Sequence, residues 1–143
     1  MTAFALDPRL ASDTLPVGDL DLSTLRVMND RRFPWAILIP RRTAIVELHD
    51  LSPADRAQLI EETAIVSEAL SRIAAAHKTN VASLGNQVRQ FHVHVIARSE
   101  TDSAWPWPVW GRGERAPYDA GAGEAFAAQL AKAVGLKQSR NTL

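Results

Sequence analysis

Hydrophobic and polar positions change their period several times along this chain, and those changes mark out its elements. Residues 1–20 hold two prolines and several aspartates without a sustained period, so they read as an N-terminal arm with at most one helical turn. Leu22, Thr24 and Arg26 then alternate with Ser23, Leu25 and Val27, which predicts a first strand, and Asn29-Asp30 supply turn chemistry after it. Trp35-Ala36-Ile37-Leu38-Ile39 is short, apolar throughout and closed by Pro40, the mark of a buried central strand. Ala44 to Leu48 is a third apolar stretch, so two or three strands precede the sharpest boundary in the chain. There Ser52 is placed as an N-cap, Pro53 at the first helical position and Asp55 in the first turn. Leu59, Thr63, Val66, Leu70, Ile73 and His77 follow at steps of three and four, predicting one long amphipathic helix that Lys78-Thr79-Asn80 ends. Val81 to Leu84 predicts a strand, Gly85-Asn86 a tight turn, and Gln90 to Ala97 the next strand. A segment rich in Pro and Trp comes next, and then a terminal helix from Gly123 to Val134, ended by Gly135.

Short connections between strands favour antiparallel pairing, and one long helix suffices to cover one face of the resulting sheet. The expected fold class is therefore α+β: an antiparallel β-sheet with one long helix packed on it, its other face left for a ligand or partner. At 143 residues the chain fits one domain, taken as residues 21–143 behind the arm at 1–20.

Charge and composition narrow the function classes. Sixteen basic side chains balance sixteen acidic ones, so no net field attracts nucleic acid or an anionic membrane surface. With no cysteine there are no disulfides, thiolate nucleophiles or thiolate metal sites, a composition compatible with the cytoplasm. Met1 to Leu10 lacks the basic and apolar regions of a signal peptide, and no apolar run is long enough to span a membrane.

The candidate chemistry lies in the strand Gln90 to Ala97. Alternation puts Phe91, Val93, Val95 and Ala97 on the core face and Gln90, His92 and His94 on the other, about 6.6 Å apart for every two residues. Three readings of that polar row stand side by side. It is a solvent-facing strand with incidental histidines, or half of a metal site, or a pair of imidazoles for nucleophilic and phosphate chemistry. A metal site needs a third ligand and usually a fourth, and the remaining histidines, His49 and His77, do not form a second cluster in the sequence, so no metal ligand is assigned.

Gln90-Phe91-His92-Val93-His94-Val95-Ile96, preceded by Leu84-Gly85-Asn86-Gln87 and followed by a Trp-Pro segment, resembles the signature of the histidine triad (HIT) superfamily of nucleotide-binding proteins and nucleotidyl hydrolases or transferases. The apolar strand ending in Ile39-Pro40 and the long helix extend the resemblance over roughly residues 22–111, with the motif region at 80–111. It implies a nucleotide partner, a purine nucleotide or adenylate, no added cofactor, and pairing as a homodimer. By the same resemblance His92 matches the nucleophile, which forms a nucleotidyl-histidine at the α-phosphate. His94 matches the histidine that binds the phosphate or bridging oxygen, as a cation if protonated. Asn86 and Gln87 fall where relatives place side chains against the α-phosphate. Asn80 falls near an asparagine of the same pocket, and Asn29 near a residue that holds the ribose; turn chemistry is the alternative for all four and weighs evenly with the functional role for Asn29 and Asn80.

Two departures stand out. Gln90 replaces the first histidine of the triad, and Trp35 stands where relatives often carry another histidine. Glutamine exchanges hydrogen bonds but not protons, so proton delivery to the leaving group is the step affected. A nucleotide-binding or interaction module with little turnover is the alternative, and a metal-binding domain the third. The tract Trp105-Pro106-Trp107-Pro108-Val109-Trp110-Gly111 reads as a proline-stiffened loop over apolar surface, or else as an aromatic wall of the site. Arg98 reads as a phosphate contact or a surface arginine, and Glu100 and Asp102 only as solvated acids.

Overall fold

A computed structural model describes residues 3–136. The elements in chain order are α1 (Pro8–Asp13), β1 (Thr14–Asp19), β2 (Ser23–Met28), β3 (Trp35–Pro40), a 3-10 turn at Leu48–Asp50, α2 (Pro53–Ala74), β4 (Lys78–Ala82), β5 (Val93–Arg98) and α3 (Ala122–Ala133). The five strands form one sheet in the order β1-β2-β3-β5-β4, each neighbouring pair antiparallel. The fold is α+β, as the alternation of periods implied.

Several boundaries differ from the sequence reading. Residues 14–19, read as part of an arm, form the edge strand β1. Pro16 and Gly18 hide it, since both weaken a strand signal, but an edge strand tolerates a missing N–H and the register shifts between them as at a bulge. Ala44–Leu48, a candidate third strand, runs as loop into the 3-10 turn. The long helix begins where expected, with Ser52 Oγ accepting the Asp55 N–H at 3.1 Å. It ends before His77, because Ala75 takes a left-handed conformation (φ 48°) and the Ala76 N–H donates back to the Ser71 carbonyl at 3.0 Å. Lys78–Asn80 then belong to β4, paired with Arg98–Ile96 of β5. No tight turn links these strands; residues 83–92 form a longer loop, and β5 starts at Val93 rather than Gln90.

Both layers over the sheet follow from period. On one face Leu25, Val27, Ala36, Leu38, Val95 and Ala97 pack against Val66, Ala69 and Leu70 of α2 and Ala127 and Leu130 of α3. Each fully buried Leu or Val side chain here is worth about 1.5–3 kcal/mol relative to exposure. Glu62 of α2, itself buried, ties helix to sheet by accepting the Leu22 and Ser23 N–H groups at 2.7 and 3.0 Å. Gly123 lets α3 rest on β1, since a Cβ there would lie 2.3 Å from Leu15 Cδ1.

The opposite face is not free, contrary to expectation. Trp35, Ile37, Ile39 and Ile96 are covered by Leu10 of α1 and by Ala104 and Val109 of the segment after β5, with Phe4, Leu6, Val88 and Trp110 packed at the margins. The two histidines lie within this covered face. Among the described residues no helix is long and apolar enough to cross a membrane.

Candidate functional site

His92 is the last residue of the 83–92 loop, and His94 lies in β5 opposite Ile37 of β3 and Ala82 of β4. Alternation keeps them on one side of the chain, as the sequence implied, with ring centroids 4.8 Å apart at 69°. They are not solvent-facing, since each is only 5% exposed. That burial disfavours the reading of incidental surface histidines.

Their hydrogen bonds fix both tautomers. His92 Nδ1 lies 2.6 Å from the Gln90 carbonyl oxygen, which only accepts, so Nδ1 carries a proton and in the neutral ring Nε2 holds the lone pair. His94 Nδ1 lies 3.0 Å from Trp35 Nε1, which only donates, so Nδ1 is the acceptor and the proton sits on Nε2. One ring therefore offers a lone pair and its neighbour a hydrogen-bond donor.

Burial, with a smaller contribution from the neighbouring His92 charge, pushes the His94 pKa down to about 3. Protonation would also set N–H against N–H at the Trp35 contact. This environment favours a neutral Nε2–H donor at His94, whereas the resemblance implies a cation if the ring is protonated. By NMR, His94 is expected to remain the neutral Nε2–H tautomer from pH 8 down to pH 5, and a titration near 6.5 would contradict this. The sign for stability follows. The folded value lies below the unfolded one, so the unfolded chain binds more protons between the two, and stability falls as pH drops from about 6.5 towards 3.

Aromatic rings frame the pair. Trp110 meets His94 edge-on at 5.0 Å and Trp35 at 5.7 Å. The Trp-Pro segment therefore both covers apolar surface and walls the histidines. Beside Trp35 and Trp110 opens a cleft of about 260 Å³, rimmed by Asp30, Arg32, Arg112 and Arg115.

The other candidate residues are dispersed. The Gln90 side chain turns away from the imidazoles: its Nε2 donates to the Ala5 carbonyl and its Oε1 accepts the Asp7 N–H, both at 2.8 Å. Gln90 reaches the histidines only through its own carbonyl. Gln87 Oε1 accepts from Arg9 at 2.9 Å, and Asn86 is exposed on the same loop. Asn80 Oδ1 accepts from Arg98 at 2.8 Å, and Asn29 Oδ1 accepts the Tyr118 N–H at 2.9 Å, so both oxygens are used within the fold.

Arg98 and Asp102 are misread by composition alone. The Arg98 side chain is 1% exposed and its Nε and Nη2 reach both carboxylate oxygens of Asp102 at 2.8 and 3.0 Å. Asp102 also accepts the Ser99, Ala104 and Trp105 N–H groups, fixing the turn that brings the Trp-Pro segment back over the sheet. The only sequence signal was the i,i+4 spacing of opposite charges, which is common on surfaces. Trp35 departs from the family pattern, but its donor role towards His94 depends on register between β3 and β5 and has no local signal.

No group of three or more His, Cys, Asp or Glu side chains suited to hold a metal ion stands together among the described residues. The HIT domain family model matches residues 9–101. Among solved structures, a histidine triad protein from Bradyrhizobium japonicum is 44% identical, with a TM-score of 0.90 over 93% of this chain and 99% of that one. One from Sinorhizobium meliloti 1021 is 48% identical (TM-score 0.88, 90% and 96% covered), and one from Marinobacter aquaeolei VT8 is 38% identical (TM-score 0.89, 93% and 97% covered). No curated protein matches. With the paired histidines in β5 and its approach, the matched span and these likenesses agree, and the chain belongs to the histidine triad (HIT) domain family.

Proposed function

We propose that the protein binds a nucleotide, a purine nucleotide or adenylate, and acts at its α-phosphate as a hydrolase or nucleotidyl transferase through His92. The observation that carries this reading is the pair of opposed tautomers, a free Nε2 lone pair on His92 beside a Nε2–H on His94. In the first step the His92 lone pair attacks the α-phosphorus, a P–N bond forms, and the bond to the leaving group breaks with its electron pair. Positive charge develops on the His92 ring, and the Gln90 carbonyl that accepts its Nδ1–H offsets that charge. A neutral His94 does not repel the forming cation 4.8 Å away, and its Nε2–H serves the phosphate oxygens. Water then attacks the phosphorus, releasing the nucleotide and a proton and restoring His92.

Asn86 and Gln87 remain the proposed phosphate ligands. Asn80 and Asn29 are assigned to the scaffold, and the cleft along Trp35 and Trp110 is the proposed seat for the rest of the substrate. The exposed edge strand β4, with Val81 and the nearby Leu48 and Ile60 also exposed, is the surface on which a second chain would pair in a cytoplasmic homodimer.

One observation favours the second reading, a binding module with little turnover. Gln90 has no proton to give, and both of its amide atoms are already bonded to the N-terminal segment. A fluorogenic adenylate ester separates the two, because its leaving group needs no protonation. Turnover by the purified protein is expected. Binding of AMP without any ester hydrolysis would replace the enzyme reading with the binding one.

A further inference from the structure

We propose that the N-terminal segment, residues 3–13, is part of the substrate site, and that Arg9 is its phosphate-binding cation. This rests on the nucleotide reading above and adds a residue and a substrate preference to it. Residues 3–8 precede the span that the family model matches, and Arg9 and Leu10 stand at its start.

Three observations link the segment to the residues that hold the histidines. Leu10 of α1 is buried in the cluster that holds Trp35, the residue bonded to His94, with Phe4 and Leu6 beside it. The Gln90 amide grips the backbone on both sides of Leu6, at the Ala5 carbonyl and the Asp7 N–H. The carbonyl of the same Gln90 holds His92 Nδ1–H, so one residue anchors both the segment and the proposed nucleophile. Asp7 in turn accepts the Arg9 N–H at 2.8 Å and starts the short helix from which the Arg9 side chain extends. That side chain meets Gln87, a proposed phosphate ligand, at 2.9 Å.

Electrostatics supplies the need. A bound phosphate carries negative charge, and a neutral His94 does not neutralise it. Arg98 is committed to Asp102, Arg32 to Asp30 and Arg115 to Asp13, while Arg112, on the cleft rim, lies over the Trp107 ring. Arg9 pairs with no carboxylate among the described residues and is exposed, with guanidinium donors beyond the one given to Gln87. A planar fork of donors suits a phosphate, and Gln87 orients it. Arg89, close in sequence and exposed on the same loop, is the comparison cation.

The test compares AMP with adenosine by calorimetry on the full chain. Arg9→Ala is expected to weaken AMP binding about tenfold to a hundredfold, the range of one charge-assisted hydrogen bond, and to change adenosine binding less than about twofold. Arg9→Lys should fall between Ala and the parent, and Arg89→Ala should match the parent. Gln90→Leu, which releases the segment, should reproduce the AMP loss, and Arg9→Ala should cost little more in that background. Equal losses for AMP and adenosine would reduce Arg9 to a structural role and overturn the proposal. A parent that binds AMP with an Arg9→Ala variant that binds it as tightly would overturn this proposal alone. A parent that binds neither ligand would overturn the nucleotide reading and this one with it.

Discussion

His92→Asn is expected to lower turnover of an adenylate ester by about 10⁴-fold or more, the scale seen when a covalent nucleophile is removed. Asparagine is the informative replacement, because its side-chain N–H₂ reaches about where Nδ1–H lies and can still donate to the Gln90 carbonyl. What it lacks is the Nε2 lone pair. His92→Ala removes the lone pair too, but it also leaves the carbonyl unpaired and a small void, since His92 is 5% exposed rather than on an open face. Loss of activity in both variants, with thermal stability kept in the Asn variant, isolates the nucleophile from packing. Full turnover by the purified Asn variant would remove His92 from the mechanism.

The largest stability effect is expected away from the histidines, at Asp102. Its side chain pairs with an arginine that is 1% exposed, and removing one partner of a buried pair leaves an uncompensated charge that costs about 3–5 kcal/mol. Asp102→Ala also orphans the Ser99 and Ala104 N–H groups that set the turn and leaves the Trp105 N–H only its longer bond to the residue-102 carbonyl, at 3.3 Å. Urea unfolding should show a lower midpoint with an unchanged slope. Adding Arg98→Met should recover part of the loss, because the cation goes with its partner. A shift under about 0.5 kcal/mol, the range of ordinary surface changes, would mean that the pair is solvated in solution.

The same residue sets an acid limit. Burial pushes the Asp102 carboxyl up, but hydrogen bonds from Arg98, Ser99 and Ala104 and the Arg98 charge outweigh it and hold the pKa at about 2. The folded value is below the unfolded one near 3.9, so its contribution is present above about pH 4 and lost as pH falls towards 2. In Asp102→Ala that part of the acid unfolding profile should flatten.

How much of this was legible in the sequence follows from how local each signal is. β3 was readable because six consecutive buried residues leave no polar side, and the start of α2 because Ser52, Pro53 and Asp55 each act within one turn. The pairing of His92 with His94 needed only alternation. The end of α2 was misplaced because a left-handed alanine closes it, where a glycine would have announced the cap. β1 was missed because Pro16 and Gly18 are tolerated only at an edge, and edge position is a property of the whole sheet. The Gln90 clasp joins residues 83 and 85 positions apart in the chain, and the Trp35 bond to His94 spans 59. No window along the chain contains both ends of either contact, and these contacts distinguish this site from a plain His-x-His strand.

The central claim is that His92 Nε2 forms a bond to phosphorus, and mass spectrometry of the protein after brief incubation with a fluorogenic adenylate ester tests it most directly. The predicted result is a covalent adenylyl adduct, acid-labile as a phosphorus–nitrogen bond is, mapping to His92 and missing from His92→Asn. Ester turnover with no adduct under rapid acid-free quenching, or an adduct that maps elsewhere and survives in His92→Asn, would contradict it.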